Sequence, residues 1–221
     1  MTRRLGLFGG TFDPPHLGHL ALAEWARDAL KLDRVLFMPA ARPPHKSGPA
    51  LSGVSLRLAM TRLAVAGHRG FEVSRIEAER EGPSFTVDTL KTLRARRPGA
   101  RWFLLMGEDS LADLATWKQP GQIVRLATPV VAARPGAQAR RSRLAFGRRV
   151  VWLDNPGIEV SSSAIRARAR LGRSIRFLVP DAVAHYIERT GVYRERSTRP
   201  ARRGAGRRPQ LASAARGRQK A

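Results

Sequence analysis

Residues 5–20 read Leu5-Gly6-Leu7-Phe8-Gly9-Gly10-Thr11-Phe12-Asp13-Pro14-Pro15-His16-Leu17-Gly18-His19-Leu20. The apolar start predicts a short buried strand that stops at the paired glycines, and a helical pattern opens after the Pro-Pro pair. A strand, a loop and a helix in this order bring bare backbone N–H groups together at a helix N-terminus, which attracts anions. The two histidines, three residues apart, would join those groups. The stretch therefore predicts a phosphate-binding site.

Neither of two common nucleotide-binding loops is present in this stretch. It lacks the G-x-x-x-x-G-K-[ST] of a Walker A loop and the G-x-G-x-x-G of a dinucleotide fingerprint. We therefore expect His16 and His19 to hold the phosphates. A metal site formed by His16, His19 and Asp13 is the alternative, although no Glu follows at the spacing of a zinc protease.

Strand-like and helix-like segments alternate along the rest of the chain. Short apolar runs predict strands at Leu5–Phe8, Val35–Met38, Phe71–Ile76, Trp102–Met106, Val130–Ala133 and Val150–Leu153. Helical spacing predicts helices at Leu17–Leu30, Ser55–Ala66, Phe85–Arg96, Ser162–Arg170 and Asp181–Thr190, with Ser55 and Ser84 as N-caps. Such alternation predicts an α/β fold with a doubly wound parallel sheet of the Rossmann-like type. Ligands of such sheets bind at the carboxyl ends of the strands, where Gly9-Gly10 and Gly107-Glu108-Asp109-Ser110 would meet.

Charge divides the chain into a domain and a tail. The 221 residues carry a net charge of +24, and residues 194–221 hold nine Arg, one Lys and one Glu among Gly, Ala, Pro and Ser. This composition has little to bury and predicts a disordered basic tail over 194–221, after a single domain over 1–193. The tail could contact nucleic acid non-specifically. It contains no aromatic residue, so it lacks the stacking groups of a single-strand binder.

The absence of cysteine excludes disulfides, thiolate nucleophiles and cysteine zinc sites. Arg3-Arg4 leads into a short strand, whereas a signal peptide would continue with an apolar segment. No apolar run approaches the length of a membrane span. We expect a soluble, cytoplasmic protein. The sequence leaves its oligomeric state open, a homo-oligomer included.

A second anion-binding pattern is Val160-Ser161-Ser162-Ser163-Ala164-Ile165-Arg166. Serines at the start of a helix commonly cap it. Three serines with an arginine one turn later would also aim hydroxyls, free N–H groups and a guanidinium at one anion, and arginine suits bidentate phosphate contacts. This stretch predicts a second phosphate-binding element.

These two patterns resemble the signatures of the nucleotidylyltransferase superfamily. The first reads G-G-T-F-D-P-x-H-x-G-H from Gly9 to His19, and the second resembles I-S-S-T-x-I-R with Val160 for Ile and Ser163 for Thr. The resemblance implies that His16, His19 and Arg166 are catalytic and act on the triphosphate of ATP, with Mg²⁺ as cofactor. It implies ATP contacts from Gly9, Gly10, Thr11, Phe12, His16, His19, Gly107, Asp109, Ser162, Ser163 and Arg166.

Three further stretches narrow the resemblance. They are Pro43-Pro44-His45-Lys46, Gly82-Pro83-Ser84-Phe85-Thr86-Val87-Asp88-Thr89-Leu90, and Gly107-Glu108-Asp109-Ser110-Leu111 followed by Thr116-Trp117-Lys118. Together they resemble the bacterial nicotinate mononucleotide adenylyltransferases, from about residue 4 to Tyr193. That family makes deamido-NAD and pyrophosphate from nicotinate mononucleotide and ATP. The resemblance implies contacts to the mononucleotide from Lys46, Thr86 and Trp117. Glu108 departs from the small residue usual at its position.

Two other functions stay open at this point. One is another adenylyl- or cytidylyltransferase of the superfamily, such as one that uses phosphopantetheine. Those enzymes are usually shorter and lack the G-P-S-[FY]-T and T-W stretches. The other is a nucleic-acid-binding protein in which the basic tail is the functional part.

Overall fold

The computed structural model describes residues 2–43, 51–132, 149–155 and 157–194. Six strands alternate with helices in this part of the chain. The strands are β1 (Arg4–Gly10), β2 (Arg34–Pro39), β3 (Phe71–Val73), β4 (Arg101–Gly107), β5 (Thr128–Ala132) and β6 (Val151–Leu153). The helices are α1 (Leu17–Ala29), α2 (Val54–Val65), α3 (Thr86–Arg96), α4 (Glu108–Asp113), α5 (Pro120–Leu126), α6 (Ser162–Arg170) and α7 (Asp181–Thr190), and a 3-10 turn covers Leu114–Thr116.

All six strands form one parallel sheet in the order β3-β2-β1-β4-β5-β6. The order reverses between β1 and β4, which lie side by side with Leu7 opposite Leu104. This confirms the predicted doubly wound α/β sheet. Its ligand crevice is expected beyond the carboxyl ends of β1 and β4, because the connections of these two strands leave in opposite directions.

The central strands are buried on both faces of the sheet. Along β4, Trp102, Leu104 and Met106 pack into one core cluster, whereas Phe103 and Leu105 pack into the cluster on the opposite face. Successive side chains of a strand point to opposite faces, so a continuous apolar run is what a strand covered by helices on both sides requires. Burial on two faces makes the strand ends a rigid base for the crevice.

A third cluster lies away from the sheet, between α2 and the C-terminal helices. Its buried members include Met60 of α2, Ile165 of α6, Val183 and Ile187 of α7, and Tyr193. α2 packs against α7. Burial of these apolar groups fixes the last described turn of the chain against the domain.

Several element boundaries differ from the prediction. β3 ends at Val73 and not at Ile76, and the sequence pattern missed both α4 and α5. Gly53, not Ser55, occupies the N-cap of α2, and Phe85, not Ser84, occupies that of α3. Residue 133, Lys46 and nearly all of the predicted tail lie outside the described residues. Among the helices that the structure describes, none is long and apolar enough to cross a membrane.

Candidate active site

A cavity of about 1020 Å³ opens at the carboxyl edge of the sheet. The ends of β1 and β4 form its floor, and the first turns of α1, α3, α4 and α6 surround it. Helix N-termini carry unpaired N–H groups and a partial positive charge. Most predicted site residues line this cavity: Gly9, Gly10, Thr11, His16, His19, Thr86, Gly107, Asp109, Trp117, Ser162, Ser163 and Arg166.

The two signature histidines lie against each other at the start of α1. His16 is the N-cap, and its backbone N–H donates to Nδ1 of His19 at 3.2 Å. The ring centroids are 3.6 Å apart. The ring of His19 also lies edge-on to that of Phe12, 5.0 Å between centroids. The pair is therefore held in one orientation by the backbone and by the aromatic core beneath it.

Burial keeps the imidazole of His16 neutral. His16 is only 7% exposed, and removal from water lowers its pKa from 6.5 to about 4. Its Nδ1 is buried and has no hydrogen-bond partner among the described residues. A buried polar atom of this kind carries a desolvation cost that a ligand can relieve.

Gly18 allows the close approach of two groups at this point. A Cβ there would lie 3.2 Å from His16 Nδ1 and 3.2 Å from the backbone carbonyl oxygen of Ile158. Both distances are shorter than ordinary van der Waals contact, and the carbonyl belongs to backbone that cannot swing away. The glycine between the two histidines thus leaves space for the ring of His16.

The start of α6 is tied to the signature loop by two long-range hydrogen bonds. Ser162 Oγ donates to the carbonyl of Pro14 at 2.8 Å, and Arg166 Nη1 donates to the carbonyl of Asp13 at 2.8 Å. Ser161 Oγ caps the helix by accepting from the N–H of Ala164. The prediction that all the serine hydroxyls face one anion needs correction. Ser161 and Ser162 use theirs on protein groups, and Ser163 Oγ shares a 3.0 Å hydrogen bond with Ser161 Oγ. The guanidinium and the backbone N–H groups are therefore the main donors for an anion.

Two predicted ATP or substrate contacts stand apart from the rest. The ring of Phe12 is 1% exposed and packs on Phe8 and Phe37, so it belongs to the core and does not line the cavity. The predicted ATP contact of Phe12 therefore stays a prediction for its backbone. Its φ of 50° turns the chain between the glycines and Asp13. Lys46 lies outside the described residues.

The other end of the cavity contains Thr86 and Trp117. Thr86 is the first residue of α3, and Trp117 follows the 3-10 turn. Lys118 joins the two segments, since its Nζ donates to Asp88 of α3 at 3.0 Å and lies 4.5 Å from the centre of the Phe85 ring. This end combines an aromatic plane, a hydroxyl and a helix N-terminus.

Ser84 braces this end of the cavity rather than capping α3. Its Oγ accepts hydrogen bonds from the N–H groups of Ala41 and Arg42, at 3.1 and 3.2 Å. Behind it lies Glu77, whose carboxylate accepts from Thr89 Oγ1 at 2.7 Å. Burial raises the pKa of Glu77, against the opposing effect of the hydrogen bonds from Thr89 and Ser84. The cluster holds the loop after β2 against α3.

Glu108 begins α4 but does not line the cavity. It is 7% exposed, and its Oε1 has no hydrogen-bond partner in the part of the chain that the structure describes. The presence of Glu108 in place of a small residue therefore affects the packing behind the cavity, at the end of β4.

A buried polar group beneath the signature loop was not predicted from the sequence. Asp13 accepts from the Tyr193 hydroxyl at 2.7 Å and from the Ser52 N–H at 3.0 Å. Arg57, 1% exposed, donates to the carbonyls of Ser52, Thr11 and Ala41. Burial lowers the pKa of Arg57, while the charge of Asp13 opposes that change. The only signal was a lone arginine on the apolar face of α2.

Asp13 does not join the two histidines as the metal-site alternative requires. Both of its carboxylate oxygens are engaged by Tyr193 and Ser52. Within the described ranges, no group of three or more His, Cys, Asp or Glu residues could hold a metal ion.

Comparison with known proteins agrees with this geometry. The family model described as cytidylyltransferase-like matches residues 7–168. The chain is 48% identical over 191 residues to the probable nicotinate-nucleotide adenylyltransferase of Thermus thermophilus, covering 86% of this chain and 100% of that protein. It is 47% identical over 197 residues to the protein of the same name from Thermomicrobium roseum, covering 86% and 92%.

A solved structure has the same fold. It is that of the Plasmodium falciparum nicotinic acid mononucleotide adenylyltransferase complexed with NaAD, with a TM-score of 0.74 at 18% identity, covering 86% of this chain and 97% of that one. With the sequence relatives, which match over most of both lengths, the comparison leads to one conclusion. The chain belongs to the nicotinate-nucleotide adenylyltransferase family.

Proposed function

We propose that this protein transfers the adenylyl group of ATP to nicotinate mononucleotide, giving deamido-NAD and pyrophosphate. Family membership supports the proposal. The observation that carries it is the attachment of α6 to the signature loop. Ser162 and Arg166 donate to the backbone carbonyls of Pro14 and Asp13, just before the histidine pair at the start of α1, and both elements line the same cavity. An aromatic-lined end of the same cavity, at Trp117, offers space for a ring.

The reaction needs no covalent nucleophile from the protein. A phosphate monoester has a second pKa of about 6, so the phosphate of the mononucleotide is largely a dianion at neutral pH. One of its oxygens attacks the α-phosphorus of ATP, and the bond from that phosphorus to the oxygen leading to the β-phosphorus breaks. Pyrophosphate leaves with the electron pair. The protein has to align two polyanions and neutralise their charge.

We assign charge neutralisation to a phosphate clamp, defined as His16, His19 and Arg166. Because Nδ1 of His19 accepts the N–H of His16, the neutral ring of His19 carries its proton on Nε2 and can donate it to a phosphate oxygen. Arg166 uses Nη1 on the Asp13 carbonyl and keeps its other N–H groups for the triphosphate. Such preoriented donors stabilise negative charge that develops on the leaving pyrophosphate.

The nucleotide base and ribose of ATP would lie along Gly9, Gly10, Thr11, Gly107 and Asp109. A Cβ at Gly9 or at Gly107 would meet no described atom within 4 Å. The backbone at both positions therefore borders open cavity, and a ligand can approach it closely.

The mononucleotide would occupy the end that contains Trp117 and Thr86. A pyridine ring can stack on the indole of Trp117. The first N–H groups of α3, with the Thr86 hydroxyl, suit the carboxylate of nicotinate. Lys46, which lies outside the described residues, would contribute a positive charge to the substrate phosphate, as the family resemblance implies.

Mg²⁺ fits this site as part of the substrate complex with ATP. Hard oxygens are the ligands that Mg²⁺ prefers. The phosphates of ATP would supply them, and the carboxylate of Asp109 lines the same cavity. When bound, the ion neutralises charge on the phosphates. The residues of the chain orient the phosphates and exclude water.

Parallel assays of pyrophosphate release test the proposal. The purified full chain is given MgATP with nicotinate mononucleotide, nicotinamide mononucleotide or phosphopantetheine. Release with nicotinate mononucleotide, together with a product of the mass of deamido-NAD, is expected. Turnover of phosphopantetheine with neither pyridine mononucleotide used would contradict it.

A further inference from the structure

Tyr193 is the last side chain of the domain that reaches the active-site loop. It lies after α7 and is 7% exposed, with its ring in the cluster formed by α2, α6 and α7. Its hydroxyl donates to Asp13 Oδ1 at 2.7 Å and lies 3.7 Å from Met60 Sδ. A tyrosine needed only for packing would not have to place its hydroxyl on a buried carboxylate.

The partner of this hydroxyl is next to the groups that would hold ATP. Asp13 is 1% exposed, and its side chain faces away from the cavity, toward Tyr193 and the Ser52 N–H. Its backbone carbonyl accepts the hydrogen bond from Arg166 Nη1. The orientation of this one residue therefore determines where the Arg166 guanidinium is anchored.

The hydroxyl remains a donor under all ordinary conditions. Burial and the neighbouring carboxylate of Asp13 raise the pKa of Tyr193 well above its usual value. Loss of the hydroxyl would leave Asp13 Oδ1 buried with one donor fewer, which is costly for a charged acceptor. The same hydrogen bond ties the backbone of the signature loop to the C-terminal cluster, so its loss would loosen the segment that carries the Asp13 carbonyl on which Arg166 is anchored.

We propose that Tyr193 is a positioning residue of the phosphate clamp: its hydroxyl fixes Asp13, whose carbonyl fixes Arg166 for the triphosphate of ATP. This inference rests on the proposed function and assigns to the C-terminal end of the domain a part in ATP binding. It predicts a defect that falls mainly on the ATP side of the reaction, because Arg166 is anchored directly on the Asp13 carbonyl. Ser84, at the other end of the cavity, is reached from Asp13 through Ser52, Arg57 and Ala41.

Tyr193→Phe tests the inference, since it removes one oxygen and keeps the ring in its cluster. The KM for MgATP is expected to rise about tenfold or kcat/KM for MgATP to fall by that factor, a change of about 1.4 kcal/mol. The KM for nicotinate mononucleotide is expected to stay within about twofold. Tyr186→Phe is the matched control, because Tyr186 borders the same cluster on α7 and undergoes the same chemical change.

The shift in melting temperature that MgATP alone causes measures ATP binding. It therefore separates this inference from the proposed activity. A reduced shift in Tyr193→Phe and a normal one in Tyr186→Phe support it, even if the wild type fails to make deamido-NAD. Equal shifts in wild type and Tyr193→Phe overturn it. If Tyr193→Phe folds only with saturating MgATP, its KM for MgATP is measured in the refolded protein. A value about tenfold above that of the wild type supports the inference, and a wild-type value overturns it.

Discussion

The backbone N–H of His16 donates to Nδ1 of His19, and the two rings lie 3.6 Å apart. Because an Nδ1 that accepts a hydrogen bond carries no proton, Nε2 is the nitrogen of His19 that can donate to a ligand. The backbone N–H of His16 thus orients the ring of His19. Spacing by three residues at a helix start is what makes the bond possible.

Substitution of His19 or Arg166, two members of the phosphate clamp, should reduce catalysis with little effect on folding. For His19→Ala or Arg166→Ala, we expect kcat to fall by at least ~10², the usual effect of losing a preoriented donor. Both side chains border the cavity. Steady-state kinetics and thermal melts measure the two effects.

His19→Gln is the informative companion variant, since its amide N–H can replace the donor at Nε2. It should retain more activity than His19→Ala. Wild-type turnover in a well-folded His19→Ala or Arg166→Ala protein would remove the assignment of the clamp.

Acidification should destabilise the protein in a way that depends on His16. The folded state keeps this ring neutral to about pH 4, whereas the unfolded chain protonates it near 6.5. Between these values the unfolded state binds more protons, so the free energy of unfolding falls as the pH falls. From pH 7 to pH 5 the loss attributable to His16 is about 2 kcal/mol.

Urea unfolding at the two pH values measures this effect. His16→Gln should show a shallower loss than the wild type by that amount, and His185→Gln, at an exposed position on α7, should match the wild type. Equal pH slopes in His16→Gln and the wild type would mean that the ring of His16 titrates normally in the folded protein.

Gly18→Ala should impair the site while the helix stays intact. The added Cβ would press on the His16 ring and on the Ile158 carbonyl, so the ring must shift by a few tenths of an ångström from the position in which it packs on His19. Because displacement of a catalytic group by about 1 Å can cost ~10² in rate, we expect kcat/KM to fall at least ~10-fold.

Alanine itself favours helix, so thermal stability of Gly18→Ala should stay near that of the wild type. Gly121→Ala in α5 is the control, since a Cβ there meets no described atom within 4 Å. Full activity in Gly18→Ala would show that the space around His16 is not needed.

Substrate preference should depend on the end of the cavity at Thr86 and Trp117. Nicotinate offers a carboxylate to the N–H groups of α3, whereas the NH₂ of nicotinamide would face those donors unpaired. We expect kcat/KM to favour nicotinate mononucleotide by at least ~10-fold, about 1.4 kcal/mol.

Two variants separate the contributions to this preference. Trp117→Ala should weaken the use of both mononucleotides through lost stacking. Thr86→Val should mainly reduce the preference. Equal use of both substrates by the wild type would mean that the pyridine ring is held by stacking alone.

Local patterns were sufficient to predict the sheet, although not every strand boundary. Apolar runs that stop at Gly10 and at Gly107 correspond to β1 and β4. α4 and α5 were missed because Gly107-Glu108-Asp109 and Pro120-Gly121 resemble turns. In the structure Gly107 is an N-cap followed by two acids, and Pro120 occupies the first helical position, where its missing N–H has no cost.

The motifs also predicted which loops meet at the cavity, but not what supports them. Asp13 and Tyr193 are 180 residues apart, and no local period connects them. Phe12 and Ser162 lie in the predicted loops, but the side chain of Phe12 packs in the core and the hydroxyl of Ser162 bonds the Pro14 carbonyl, so their predicted ATP contacts stay predictions for the backbone. Whether a side chain in a motif faces the ligand or the protein depends on tertiary packing, which the motif does not encode.

Transfer of an oxygen label tests the central claim most directly. Nicotinate mononucleotide with ¹⁸O in its phosphate is incubated with MgATP and the protein, and both products are analysed by mass spectrometry. Attack by the mononucleotide phosphate on the α-phosphorus predicts deamido-NAD that keeps all of the label and pyrophosphate that contains none. Label in pyrophosphate, or no labelled dinucleotide at all, would contradict the proposed transfer.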